Sequence, residues 1–285
     1  MFPAFICPAV IPLSIFPLIG SNWSVCQKQK RGFEDCYQAK QIGPFQYYAV
    51  FDGHAGSMQL SEGHVAKYAA KYLHERLAEK MGEIDINDEN KVITTIVDVF
   101  IEFDRELNTN HIWFGSTCTA VLIHLDRNII YQANLGDSRS IIFDDTGIIS
   151  STLDHSPINP PELLRIKQAG GSVYMGRING SIMVSRAFGD FEFKKNNDIE
   201  YDPINGMMTA VPYVTVTTIN KKTKILLTSD APFERNAYTN HDLIKLFNDK
   251  SIHTNLHDIT SSMVQDIITR TTDDTTIIAV IVTPC

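Results

Sequence analysis

Asp52-Gly53-His54 closes the apolar run Phe45-Gln46-Tyr47-Tyr48-Ala49-Val50-Phe51. A carboxylate and an imidazole thus leave one strand together, placing a metal-binding oxygen and a proton-transfer group at the rim of a rigid element. Other carboxylates stand in comparable places. Asp230 ends the run Ile225-Leu226-Leu227-Thr228-Ser229, and Asp273 with Asp274 precedes the last apolar run, Thr275 to Val282. Asp137 sits in the turn Asn134-Leu135-Gly136-Asp137-Ser138, and Glu34-Asp35 follows a basic stretch holding Lys30 and Arg31. Each alone reads as a turn or capping residue. Together they matter more, because strand ends on one edge of a sandwich converge. Converging carboxylates repel one another unless they bind cations. Oxygen-only ligands suit Mg²⁺ or Mn²⁺, and no His/Cys set competes for zinc. Two such ions sharing a carboxylate can activate a water and clamp a phosphoryl group, which makes the expected chemistry hydrolytic.

The elements that must position these groups are readable from periodicity. Strand signals cover Trp23 to Cys26, Phe45 to Phe51, Thr117 to Leu125, Ile129 to Leu135, Ser140 to Phe143, Lys224 to Thr228 and Thr275 to Val282. Val65, Tyr68, Ala69, Tyr72, Leu73 and Leu77 make one helical face, and Ile93, Ile96, Val97, Phe100 and Leu107 make a second. Shorter helices are expected at Pro161 to Gln168, Thr239 to Phe247 and Leu256 to Thr269. Tight turns between consecutive strands, such as the one at Asp137, imply antiparallel pairing. Two long helices in one block then cover a sheet face. The order predicts a layered α+β fold with antiparallel sheets inside.

The 285 residues suit one domain over 22–285, preceded by an apolar, proline-punctuated segment over 1–21. Pro3, Pro8, Pro12 and Pro17 would break a spanning helix and no basic n-region precedes them, so that segment is expected to pack on the domain or stay extended. Secretion or anchoring through residues 1–20 stays open beside a cytoplasmic or nuclear location. A net charge of −8 argues against nucleic-acid and anionic-membrane surfaces, and with them against a metal-dependent nuclease. Five scattered cysteines without CxxC spacing read as reduced packing residues.

Several motifs carry a family resemblance. They are Asp52-Gly53-His54-Ala55-Gly56, Gly136-Asp137-Ser138-Arg139, Asp154-His155-Ser156-Pro157, Ala169-Gly170-Gly171-Ser172-Val173, Arg177-Ile178-Asn179-Gly180, Val184-Ser185-Arg186-Ala187-Phe188-Gly189-Asp190 and Ala210-Val211-Pro212. In this order they resemble type 2C metal-dependent serine/threonine protein phosphatases, from about Asn22 to the C-terminus. The resemblance implies a four-layer α-β-β-α sandwich, two central antiparallel sheets flanked by helix pairs. It implies two Mg²⁺ or Mn²⁺ ions bridged by Asp52, with the Gly53 carbonyl on one of them. Asp230 and Asp273 would hold one ion and Glu34, with Asp35 beside it, the side of the other. Asp137 would share a looser third position with Asp230. His54 would be the general acid that protonates the leaving seryl or threonyl oxygen of a phosphoprotein substrate, at a site where activated water attacks phosphorus. A monomer is expected.

The chain also departs from the family pattern. Lys30, with Arg31 next to it, stands where the family has a phosphate-gripping arginine; a lysine lacks the planar fork that binds phosphate through two hydrogen bonds. Ala231-Pro232 replaces a glycine and an apolar residue after Asp230, Asp274 replaces an asparagine, and Ser156 replaces a lysine. These features support an alternative from a different class, a catalytically weak or inactive phosphatase-like scaffold that binds a protein partner. The carboxylates Asp52, Asp137, Asp230 and Asp273 are all kept, which favours the enzyme. The segment from Phe191 to Met208 is expected to be a mobile, mixed-charge loop that selects substrates.

Overall fold

Every residue of Phe45–Phe51 is buried, yet the strand alternates between two different cores. Phe45, Tyr47, Ala49 and Phe51 face a helix pair, whereas Tyr48 and Val50 face a second sheet. A strand covered on both faces needs a continuous apolar run, and this pattern fixes the layer order. The computed structural model describes residues 21–29, 34–54, 64–112, 114–251 and 255–284.

In chain order the strands begin with β1 (Ser21–Lys28), β2 (Cys36–Ile42), β3 (Phe45–Phe51), β4 (Gly115–Ser116) and β5 (Cys118–His124). β6 (Ile129–Leu135), β7 (Arg139–Asp144), β8 (Gly147–Ser151), β9 (Val173–Tyr174) and β10 (Arg177–Ile178) follow. β11 (Phe188–Gly189), β12 (Tyr213–Thr218), β13 (Thr223–Thr228) and β14 (Thr275–Val282) complete the set. One five-stranded antiparallel sheet has the order β1-β14-β13-β7-β8, the other β12-β6-β5-β3-β2. Helices α1 (Val65–Met81) and α2 (Glu89–Thr109) cover the second sheet. Helices α4 (Asn240–Lys250) and α5 (Leu256–Ile267) cover the first, while α3 (Pro160–Gln168) sits over a small separate core that includes Ile166, Ile178 and Met208.

Local chemistry explains the helix starts. Asp88 accepts from the backbone N–H groups of Asn90 and Lys91 at the head of α2, and Thr239 with Asp242 forms a capping box on α4. The fold is the expected α+β sandwich of two antiparallel sheets with flanking helices. One expectation is corrected. β6 and β7 do not pair: they lie in opposite sheets, so the turn at Asp137 carries the chain across the sandwich instead of closing a hairpin. A short turn can do this here because both strands end at the same rim. No described helix is long and apolar enough to cross a membrane.

Candidate active site

The backbone at Asp52 to His54 is held from both sides. Thr117 N–H donates to the Asp52 carbonyl at 2.9 Å and His54 N–H donates to the Gly115 carbonyl at 3.1 Å, extending the ladder past the end of β3. On the other side Gly53 N–H donates to the Glu34 carbonyl at 3.2 Å. A Cβ at Gly53 would lie 2.3 Å from His64 Cε1 and 2.8 Å from that carbonyl, so the approach requires glycine.

Glu34, Asp52, Asp137, Asp230 and Asp273 line one cavity of about 720 Å³ with Gly53, His54 and Thr117. The Thr117 hydroxyl is 2.6 Å from that of Ser138, beside Asp137, and also accepts from Asp52 N–H at 3.2 Å. Asp273 is fixed at its backbone, its N–H donating to the Thr271 hydroxyl at 3.1 Å. Asp35 stands behind this wall. It is 2% exposed, takes a hydrogen bond from Thr276 Oγ1 at 2.7 Å on Oδ2, and has no partner for Oδ1 among the described residues. Lys30 and Arg31 lie outside the described residues. Arg177, given no role by sequence, is the one described arginine or lysine on the cavity wall; its Nη1 donates to the Ser181 carbonyl at 2.7 Å.

The electrostatics test whether cations fit. Burial, reinforced by Asp35, Asp230 and Asp137, pushes the Asp52 carboxyl well above the usual carboxylate range. Burial and then Asp137 do the same to Asp230. Burial raises Asp35 to about 7, and burial followed by Asp154 raises Asp137 to about 6. Among the described residues no three His, Cys, Asp or Glu side chains already close on one point, so the carboxylates form an open set and not a finished cage. The donor set still fits hard divalent cations. It is all oxygen, it carries mutual repulsion that positive charge would relieve, and it includes the orphaned Asp35 Oδ1 nearby.

Sequence reasoning gave Asp190 no role, and here it has one. Its Oδ2 is 2.5 Å from His54 Nε2. Asp190 is left-handed, with φ of 49°, and its N–H donates to the Phe114 carbonyl at 3.0 Å. A Cβ on Gly115 would fall 1.9 Å from Asp190 Oδ2 and 2.2 Å from His54 Nε2, so only glycine leaves room for the pair. Burial alone would lower the His54 pKa; the Asp190 charge and hydrogen bond outweigh it and raise the value above the ordinary one. The seven-residue motif ending at Asp190 was the available signal, but nothing in it says where the carboxylate points.

A protein-family profile described as Protein phosphatase 2C matches residues 21–276. The chain belongs to the protein phosphatase 2C family. It is 29% identical over 280 residues to protein phosphatase ppm-1.A of Caenorhabditis elegans, covering 92% of this chain and 58% of that one. It is 37% identical over 162 residues to human protein phosphatase 1B, covering 52% of this chain and 32% of that one. The chain therefore spans less than two thirds of these relatives. A crystal structure of a phosphatase from a pathogenic strain of Toxoplasma gondii superposes with a TM-score of 0.78 at 21% identity, covering 92% of each chain. At that identity the likeness shows the fold.

Within this family frame the departures find physical accounts. Ala231 is fully buried and outside the left-handed region, so the position does not demand glycine. Pro232 falls in the first turn of the short 3₁₀ helix Ala231–Asn236, where a missing N–H costs nothing. Phe233 N–H donates to the Asp230 carbonyl at 2.7 Å, and the Arg139 guanidinium lies 3.7 Å over the Phe233 ring. Arg139 also grips Asp154 through two 2.7 Å bonds and Asn240 Oδ1 at 2.9 Å, tying the Asp137 turn to the Asp230 loop. The carboxylate of Asp274 accepts from Glu34 N–H at 3.1 Å, so the extra anion anchors the backbone of another cavity residue. Lys194 is not part of a solvated loop: it is fully buried and paired with Asp104.

Proposed function

We propose that this chain is a Mg²⁺- or Mn²⁺-dependent phosphatase that hydrolyses phosphoserine and phosphothreonine in proteins. The observation that carries the reading is the gathering of Glu34, Asp52, Asp137, Asp230 and Asp273 around His54 in one cavity. Asp52 would be common to two ions and the Gly53 carbonyl would reach one of them; Asp230 and Asp273 would hold one, Glu34 the side of the other, and Asp137 with Asp230 a third. Asp35 would act from behind. Bound ions supply charge neutralisation at the phosphoryl group and activation of water. The chain's own residues do the rest. Lys30 and Arg31 would grip the phosphate, and His54 would give a proton to the departing seryl or threonyl oxygen as the P–O bond breaks. No covalent phosphoenzyme is needed.

Turnover of a phosphoserine peptide in Mn²⁺, lost in excess EDTA and restored by added Mn²⁺, is the expected result. No turnover at any Mn²⁺ concentration would overturn the enzyme reading and leave a phosphatase-like scaffold.

The raised carboxyl pKa values add a pH prediction. A partly protonated carboxylate must lose its proton to bind a cation, so ion binding releases protons and tightens as pH rises. With Asp137 raised to about 6, Asp35 to about 7 and Asp52 and Asp230 well above the usual carboxylate range, Mn²⁺ affinity should climb steadily as pH rises from about 5.5 through 7.5. Titration calorimetry in two buffers of different ionisation enthalpy reads the released protons directly. An affinity flat across that range with no proton release would contradict the expectation.

A further inference from the structure

We propose that Asp190 is the positioning residue of the proton donor, holding Nε2 of His54 so that Nδ1 gives the proton to the departing oxygen. This deepens the reading of His54 as general acid and rests on it. The Nε2 to Oδ2 contact of 2.5 Å occupies one ring nitrogen, and among the described residues Nδ1 has no hydrogen-bond partner. Both side chains face the cavity that holds the carboxylates, yet only a tenth of the Asp190 side chain is exposed. It is not a surface acid that swung onto a neighbour.

The protein is built to keep this carboxylate in place. Asp190 takes up a left-handed conformation that most side chains avoid, and its N–H is tied to Phe114. The preceding residue is pinned as well, Gly189 N–H donating to the buried Asp104 carboxylate at 2.8 Å. Gly115 supplies the missing Cβ that the pair needs to close. A carboxylate on one ring nitrogen fixes the ring's orientation and leaves the opposite nitrogen to do the transfer. The step balances simply. The Nδ1 proton passes to the seryl or threonyl oxygen as that oxygen takes the P–O bonding pair. The imidazole is left neutral with its Nε2–H on Asp190, and it recovers a proton from water.

The test uses the Mn²⁺-loaded full chain and two substrates. A phosphoserine peptide expels an alkoxide that needs a proton, whereas p-nitrophenyl phosphate expels a phenolate that scarcely does. Asp190→Asn should lower kcat for the peptide at least about tenfold more than for p-nitrophenyl phosphate, as loss of general-acid assistance requires. His54→Gln should show the same split, and the double variant should be no worse than His54→Gln alone. If His54→Gln splits the substrates but Asp190→Asn slows both equally, the positioning role is overturned while the acid survives. If His54→Gln shows no split, the acid reading itself fails. A spectroscopic arm needs no variant and no metal. Imidazole ¹⁵N spectra of the metal-free chain, taken with His54 neutral, should place its proton on Nε2. A proton on Nδ1 with Nε2 bare would overturn the proposal.

Discussion

Asp104→Asn is expected to cost about 3–5 kcal/mol of folding stability, the range for breaking a buried ion pair from one side. Asp104 and Lys194 are both fully buried, with Nζ 2.5 Å from Oδ1. All three Lys194 N–H donors and both Asp104 oxygens are engaged. Lys194 Nζ also donates to the Ala187 and Gly189 carbonyls at 2.8 and 2.7 Å. Asp104 accepts from Gly189 N–H at 2.8 Å and from the Tyr201 hydroxyl at 2.9 Å. Burial pushes Asp104 up and Lys194 down, each toward its neutral form, and the partner's charge opposes this on both sides. An asparagine keeps the shape and removes the compensating charge, so Lys194 is stranded. Replacing both residues by apolar ones should recover only part of the loss: the stranded charge is gone, but the Ala187 and Gly189 carbonyls, Gly189 N–H and the Tyr201 hydroxyl lose their partners. Urea unfolding of the metal-free chain measures the effect. A loss under about 1 kcal/mol for Asp104→Asn, the size of an ordinary exposed pair, would refute it. The pair joins α2 to the segment that presents Asp190, so the same variant should also loosen the His54 contact.

What sequence could and could not read follows burial. Strands covered on both faces, such as β3 and β5, have continuous apolar runs and were legible. The sandwich strands without a sequence signal, β2, β8 and β12, are all sheet edges. Cys36–Ile42 is half-exposed or exposed up to Ile42, so it has no alternation of buried and exposed residues, and polar residues such as Gln38, Lys40 and Gln41 interrupt any apolar run. Gly147–Ser151 and Tyr213–Thr218 suffer the same way. The strand-end carboxylates were legible because a strand end is a local feature. The partner of His54 was not, because it lies 136 positions away and depends on a left-handed aspartate. Lys194 misled for a related reason. A lysine amid Lys195, Asp198 and Glu200 reads as a solvated charge, and only the tertiary position of Asp104 makes it a core residue.

Asp52→Asn should all but abolish activity while making the metal-free protein more stable. The activity loss follows from geometry. Asp52 lines the cavity and is the carboxylate proposed to be common to both ions; metal assistance supplies several kcal/mol of transition-state charge stabilisation, so about 10³-fold in kcat is at stake. The stability gain follows from electrostatics. Asp52 is raised by burial first and then by four neighbouring aspartates, including Asp35 and Asp230, so above its raised pKa the folded state carries a repulsion that the unfolded chain does not. An amide of the same shape removes one of those charges. In EDTA at pH 8 the variant should therefore melt above the wild type. Added Mn²⁺ should stabilise the wild type by an amount set by its affinity and leave the variant nearly unmoved. Thermal unfolding with and without Mn²⁺ separates these effects. A variant that melts lower than wild type in EDTA would show that Asp52 is held by favourable contacts and not strained by its neighbours. A variant that keeps both its Mn²⁺ response and its rate would remove Asp52 from the site. The expected inverse relation, less activity with more metal-free stability, is what a site kept for binding cations should display.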